Sequence, residues 1–322
     1  MLIDNEKHIR RLLLVLLLSG TFQAIYGVLE VLSGSGFSLV FDFPINGPAT
    51  GSFVYKNHFA NFLLLCLSAG IGLMVIDIEI NKSQQPRDWR ISLISTLLTS
   101  KTLVRLCLAI MVIALVMSRS RMGNVAFFSA MIAVSVFTLL LDRKKSKGLG
   151  ILIVSMLIID LFIVSQWFGL DKVQQRLAAT SLSQEKRDEV VLDSLPIVKN
   201  HPIVGTGAGS YYSVFPGYKK SIINSFYDHA HNDYLQMLIE YGVLGFAFLG
   251  LLVLFSFIKA MTALKKNASP ISKGTAFACL LAFLGMLIHI SVDFPLQAPA
   301  NAVYFVIFIA LSMVSTNISV NR

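Results

Sequence analysis

Charge is what this sequence has least of. Of its 322 residues only 14% are Asp, Glu, Lys or Arg, against about 25% in an ordinary soluble domain. Hydrophobic residues make up 55% and the mean hydropathy is +0.70. So few charges cannot clothe a globule of this size, which excludes a solvated single domain, a disordered regulator and a coiled coil. Cysteine is scarce as well. Cys66, Cys107 and Cys279 all fall inside apolar runs, with no CxxC pair and no disulfide framework, so they say nothing about compartment. Acidic residues are outnumbered, 18 against 27 Lys and Arg. The basic residues gather in short loops between apolar runs, not along one face or in a tail, which argues against a nucleic-acid partner.

Long apolar runs are what the chain does have. Eight are long enough to cross a bilayer core of about 30 Å, near 11–32, 58–78, 102–119, 123–141, 149–169, 234–258, 275–292 and 300–317. The expected fold is therefore an all-α polytopic membrane protein, one integral membrane domain over 1–322. The segment 87–101 is too broken by charge to span and is expected at the interface. Lys7, Arg10 and Arg11 precede the first run, which has no cleavage site and reads as a retained anchor.

The positive-inside rule orients the spans. Lys82, Arg87, Arg90 and Lys101, then Arg143, Lys144, Lys145 and Lys147, then Lys259, Lys265, Lys266 and Lys273 all fall in loops that share a side with both termini. That side is expected to be the cytoplasm. The 33–57 loop, the Arg119–Arg121 turn, a long 170–233 loop and the 293–299 turn then face outward, and the unusual polar clusters lie in or beside them. Chemistry is expected on that face.

Within the long loop, 184–199 has helical spacing with Val191, Leu195 and Val198 on one face, and Pro196 threatens its last turn. The run GTGAGS (205–210) fits neither a Walker loop nor a dinucleotide fingerprint. It reads as a turn, or as a close backbone approach to a phosphate-bearing ligand. DHAHNDYLQMLIEYGVLG (228–245) sets His229, His231, Asn232 and Asp233 where the chain re-enters the membrane. The two histidines lack the i, i+4 zinc spacing. Asn232 or Asp233 suits a helix N-cap, and a neutral imidazole at a membrane-edge cleft suits a general base. In MSRSRMGN (117–124) two arginines close one apolar helix and open the next. Snorkelling would explain them, but paired Arg also suits bidentate phosphate recognition, with Arg187 as a third candidate.

Other polar residues have bland alternatives. His58 and Asn57 suit an interfacial start to the second span, or contact with glycan. Glu240, inside a span, needs a partner, Gln236 at i−4 or a cleft arginine. Asp160 has no evident local partner. His289 and Asp293, one turn apart, could pair with each other, or Asp293 could orient His231 or an arginine.

His231-Asn232, nine residues, then Gly242-Val243-Leu244-Gly245 resembles the HN-x9-G-x-x-G signature of the O-antigen ligase superfamily, which comprises O-antigen ligases, O-antigen polymerases and bacterial protein O-oligosaccharyltransferases. GSFVYKNHFANFL (51–63), SRSRMG (118–123), RDEVVLDSLPIVKNHPIVGTGAGSY (187–211) and VDFPLQAPAN (292–301) resemble further family segments, in order. The resemblance covers about 50–317. It implies a membrane glycosyltransferase of the class C-like fold in the bacterial inner membrane, with its active face periplasmic. The donor would be a glycan on undecaprenyl pyrophosphate. The acceptor would be lipid A core, another glycan or a protein hydroxyl, and no metal or other cofactor would be needed. By motif position His231 would be the general base, and Arg119 or Arg121 with Arg187 would hold the pyrophosphate. The chain departs from the family in having fewer spans than is usual; a compact member and a chain lacking N-terminal helices both fit. A lipid-linked glycan transporter and a non-catalytic envelope scaffold are the competing classes.

Overall fold

The computed structural model describes residues 5–38, 40, 42, 44, 47–82, 100–141, 189–220, 227–265 and 269–315. Its regular elements are helices: α1 (Glu6–Ser33), α2 (Lys56–Lys82), α3 (Ser100–Met117), α4 (Arg121–Leu141), α5 (residues 189–200), α6 (Asp233–Lys265), α7 (Pro270–His289) and α8 (Pro299–Ser315). Asn5 caps α1 by accepting from the His8 N–H at 2.9 Å, and Gly34 ends it in the left-handed conformation.

Five of these helices have the length and hydropathy to cross a membrane: α1, α2 over Lys56–Ile80, α4, α6 and α7. The expectation of eight spans is met only in part. The apolar stretches of α3 and α8, Thr102–Met117 and Pro299–Val314, are shorter. At 1.5 Å per residue each falls below the ~30 Å core thickness. At the end of α3 the reason is local: Arg119 takes φ +52°, a left-handed conformation that stops a helix. The expected fifth span (149–169), Asp160, Arg187 and residues 87–99 lie outside the described residues.

At the centre α2 crosses α7, both buried almost all round. The crossing is close because both helices offer glycine. A Cβ on Gly72 would lie 2.9 Å from the Gly274 carbonyl oxygen, and one on Gly274 would lie 2.6 Å from that of Gly72. Membrane helices, with no hydrophobic drive to associate in lipid, use small residues in this way to bring backbones into contact. Around this pair α1 packs on α2, α4 and α6 on α7, and α8 on α6 and α7. The outer face of α6 (Leu244, Phe248, Leu251, Leu254, Phe255) is apolar and exposed, as a lipid-facing surface would be.

A second, smaller cluster sits at one end of the bundle. There α5 buries Val190 and Ile197 against Tyr211, Phe215, Ala230, Leu235 and Ile239. The expected apolar face is therefore rotated: Leu195 is exposed, and Val191 and Val198 are only partly buried. Pro196 does not stop α5, which continues to residue 200. The carbonyl that it deprives of a helical partner belongs to the exposed Leu192, where solvent can serve.

Candidate active site

The start of α2, the α3–α4 turn, the start of α6, the end of α7 and the start of α8 meet at one end. Backbone contacts join these pieces. The Ala49 N–H donates to the Met117 carbonyl, and the Asp233 N–H to the carbonyls of Ile290 and Asp293. Gly123 of α4 packs directly on Ala60 of α2, where an added Cβ would approach within 2.6 Å.

The entry to α6 is built from polar side chains. Asn232 is its N-cap: its side-chain oxygen accepts from the Leu235 N–H at 3.1 Å, while its amide nitrogen donates to the Ser291 carbonyl at 2.8 Å. Asp233, fully buried, accepts from the Leu296 N–H and the Gln297 amide, both at 2.9 Å. One carboxylate thereby ties the histidine loop to the 293–297 turn. Asp293 accepts from the Asn57 amide nitrogen and from the Phe294 N–H. His289 hydrogen-bonds the Asn61 amide at 3.1 Å, and Asn301 donates to the carbonyls of His58 and Pro295, each at 3.1 Å. His289 and Asp293 thus each have a partner on α2.

Phe294 stands at the middle of this arrangement. Its ring centroid lies 4.6 Å from that of His229, 4.8 Å from His231, 4.9 Å from His58 and 5.4 Å from Tyr55. Tyr227 meets His231 edge to face at 5.7 Å. Three imidazoles from two distant stretches of sequence thus surround one non-polar ring. His231 itself adopts φ +53°, unusual for a residue with a side chain.

Ten residues beyond Asn232, α6 is broken. Gly242 takes φ 63° and ψ −175°, which separates 233–241 from 243–265. The loop 202–207 fills the break. The N–H groups of Val243 and Leu244 donate to the carbonyls of Pro202 (2.8 Å) and Ile203 (3.1 Å). Thr206 and Gly207 in turn donate to Ile239 and Glu240, both at 2.9 Å. Both strands of this contact need glycine. A Cβ on Gly205 would lie 2.5 Å from the Glu240 carbonyl, and one on Gly242 would lie 2.3 Å from the Ile203 carbonyl oxygen. Backbone groups released by a helix break at membrane depth must find other partners, and this loop supplies them.

Glu240 completes the junction. It is buried and accepts from the Gly209 N–H at 2.9 Å, the Tyr211 N–H at 3.4 Å and the Gln236 amide at 3.1 Å. Gln236 also donates to His229 Nδ1 at 3.3 Å and accepts from the Ala230 N–H at 3.2 Å. Of the partners expected for Glu240, Gln236 is the one found. The GTGAGS amides at Thr206, Gly207 and Gly209 are directed to α6, which makes the run a docking turn.

Two shifted groups lie in the unit that this turn carries. Burial raises the Asp193 carboxyl, but the Lys220 N–H and ammonium, both at 3.0 Å, outweigh it and hold the group below its ordinary value. Burial pushes the Tyr211 phenol well up, against a 2.9 Å hydrogen bond with Ser194.

The site residues expected from sequence divide into three groups. His231, His229, His58, Asn57, Asn232 and Asp293 come together, and Glu240 is linked to them through Gln236. Arg119 and Arg121 are exposed on the α3–α4 turn at the same end, with the Arg119 guanidinium 3.5 Å from where a Gly47 side chain would begin. Arg187 lies outside the described residues. Among the described residues no three His, Cys, Asp or Glu side chains converge as a metal-ion donor set. Sequence reasoning missed Asn61, Gln297 and Asn301, ordinary amides in apolar surroundings, and the hub Phe294.

The apolar helices make this a multi-pass membrane protein. Searches among curated proteins and among solved structures return no match. Residues 106–250, which run from α3 through the histidine loop to the broken helix α6, match the family model described as O-antigen ligase, so over this stretch the chain is similar to that family.

Proposed function

We propose that the chain transfers a glycan from undecaprenyl pyrophosphate to an acceptor hydroxyl at the periplasmic face of the bacterial inner membrane, as an O-antigen ligase acting on lipid A core. The family relation carries the coarser part, glycosyl transfer of ligase or polymerase type by a membrane enzyme with lipid-linked glycan and acceptor as partners. The observation that most supports the reading is the gathering of His58, His229 and His231 around Phe294 at the bundle end that also carries Arg119 and Arg121.

In this reading His231 takes the proton from the acceptor hydroxyl as its oxygen attacks the anomeric carbon. The bond from that carbon to the pyrophosphate oxygen breaks, and Arg119 or Arg121 with Arg187 offsets the charge on the departing diphosphate. Displacement in line inverts the configuration. The donor arrives activated, so the reading requires no metal or cofactor. Asn57 and Asn232 hold the walls of the cleft, and Asp293 and Glu240 fix its backbone. In this reading the long loop expected over 170–233 is a periplasmic subdomain between the fifth and sixth expected spans, and its described residues 202–209 dock on α6. Polymerase and protein O-oligosaccharyltransferase activities would use the same chemistry with another acceptor. A carrier is less well supported, because the buried polar groups described above collect at one end and do not line a path through mid-membrane.

The test is a surface-glycan gel from a host lacking the gene, complemented with the wild-type chain. Loss of all polymer from lipid A core, with long undecaprenyl-linked chains accumulating and complementation restoring them, is the expected result. Cores carrying a single repeat unit would mean polymerase. An unchanged ladder would contradict the lipopolysaccharide reading.

A further inference from the structure

Phe294 has no acid–base chemistry of its own, yet four rings of the site, those of His58, His229, His231 and Tyr55, pack against it. Its ring is 8% exposed. His58 and His231 meet it edge to face, at 89° and 81°, while His229 and Tyr55 lie nearly parallel to it, at 26° and 16°. Aromatic pairs favour both arrangements at these separations.

The backbone under this ring is held from several directions. The Phe294 N–H donates to the Asp293 carboxylate at 2.9 Å, and its carbonyl accepts from the Gln297 N–H at 3.1 Å. On either side, Asp293 is bound by Asn57 of α2, and Leu296 by Asp233 of α6. The ring is therefore fixed relative to both helices that deliver histidines. His231 depends on such a support. Its φ of +53° gives up the backbone preference that would otherwise orient the side chain, and conformations of this kind persist only where the surroundings over-determine them. Among the described residues, Phe294 at 4.8 Å and Tyr227 at 5.7 Å pack their rings against it.

We infer that Phe294 is a positioning residue: packed against the imidazole of His231, with Tyr227 as the second contact, it sets the direction from which that imidazole reaches the acceptor hydroxyl. This rests on the reading of His231 as general base. A phenyl ring neither accepts a proton nor binds pyrophosphate, so its effect falls on the orientation of the base in the transition state and not on affinity for the donor.

The experiment uses the full chain reconstituted in proteoliposomes with an undecaprenyl-pyrophosphate-linked glycan donor and a soluble acceptor, comparing Phe294→Leu, Phe294→Tyr, Tyr227→Leu and His231→Ala. Phe294→Leu should lower kcat on the order of tenfold to a hundredfold, with KM for the donor within about twofold. Phe294→Tyr, which keeps the ring, should recover most of the loss. Tyr227→Leu, affecting the more distant of the two rings at 5.7 Å, should lower kcat less than Phe294→Leu does. The His231 ring protons, read by NMR, should lose the Phe294 part of their ring-current shift in Phe294→Leu and keep it in Phe294→Tyr. Full kcat in Phe294→Leu beside an inactive His231→Ala would overturn the positioning role alone. Full activity of His231→Ala would overturn the base reading beneath it. If Phe294→Leu fails to insert, Phe294→Tyr and Tyr227→Leu decide: equal loss of kcat and donor affinity in either one overturns the inference.

Discussion

The carboxylates of the membrane helices are held differently at the two ends of the bundle. At the end away from the histidines, Asp77 of α2 is bonded by Arg10 of α1 at 2.8 Å and Glu79 by Lys273 of α7 at 3.1 Å. Each is a carboxylate meeting a long cation, and the cations are 44% and 32% exposed. At the histidine end, Asp233 and Glu240 are buried and take their bonds from main-chain N–H groups and from Gln297 and Gln236. A flexible ammonium or guanidinium follows its partner and is worth little at the surface. An amide in a turn has one place and one direction, so a carboxylate bound by amides fixes geometry. The first end tethers helices, and the second specifies where side chains stand.

Breaking the second kind of contact should cost more than breaking the first. The largest structural effect is expected at Gly242. Gly242→Val forces a β-branched residue into φ 63° and a Cβ to 2.3 Å from the Ile203 carbonyl oxygen. The expected loss is about 2–3 kcal/mol or more, seen as a lower thermal midpoint in detergent and freer proteolysis of the 202–211 loop. Next comes Asp233→Asn. The amide retains one acceptor oxygen for two donors, Leu296 N–H and Gln297, so one buried group loses its partner at a cost of about 1–3 kcal/mol. Unfolding in detergent checks this, and unchanged stability would show that the turn re-forms around the amide.

Asp193 gives a smaller, pH-dependent effect. Its folded carboxyl is held below the ordinary value of 3.8, so its contribution is complete above that value and is lost as pH falls through the lower folded value. Hydrogen exchange at the Lys220 amide should quicken over that acid window in the wild-type chain and be fast throughout in Asp193→Ala. The smallest effects are expected at the opposite end. Arg10→Ala and Lys273→Ala should each cost no more than about 1 kcal/mol and leave transfer intact. A large loss of transfer in either would remove the distinction between the ends.

Much of this difference is legible in the sequence, and what is not has physical causes. The motifs around Asn57-His58, His231-Asn232 and Asp293-Phe294 can be read directly, as can the clustering of polar residues in loops of one side. The pairing of Glu240 with Gln236 follows from their i−4 spacing, but the role of Asp233 is harder to see, because a carboxylate bound by amides has no cation nearby to mark it. Phe294 is one of 23 phenylalanines, and its place as hub comes from tertiary packing that no periodicity signals. The rotated face of α5 has the same origin: Tyr211 and Phe215, which follow it in sequence, choose Val190 and Ile197 as partners. Gly242 and Gly205 stand in the sequence as motif glycines, but that each exists to admit the other's backbone shows only in three dimensions.

The most direct test of the central claim, that the histidine end is where transfer occurs, compares wild type, His231→Ala and Arg10→Ala in purified proteoliposomes supplied with an undecaprenyl-pyrophosphate-linked glycan and an acceptor. The account predicts wild-type rates for Arg10→Ala and a fall on the order of a hundredfold to ten-thousandfold for His231→Ala, with both variants inserted and monodisperse. Full activity in His231→Ala would contradict it.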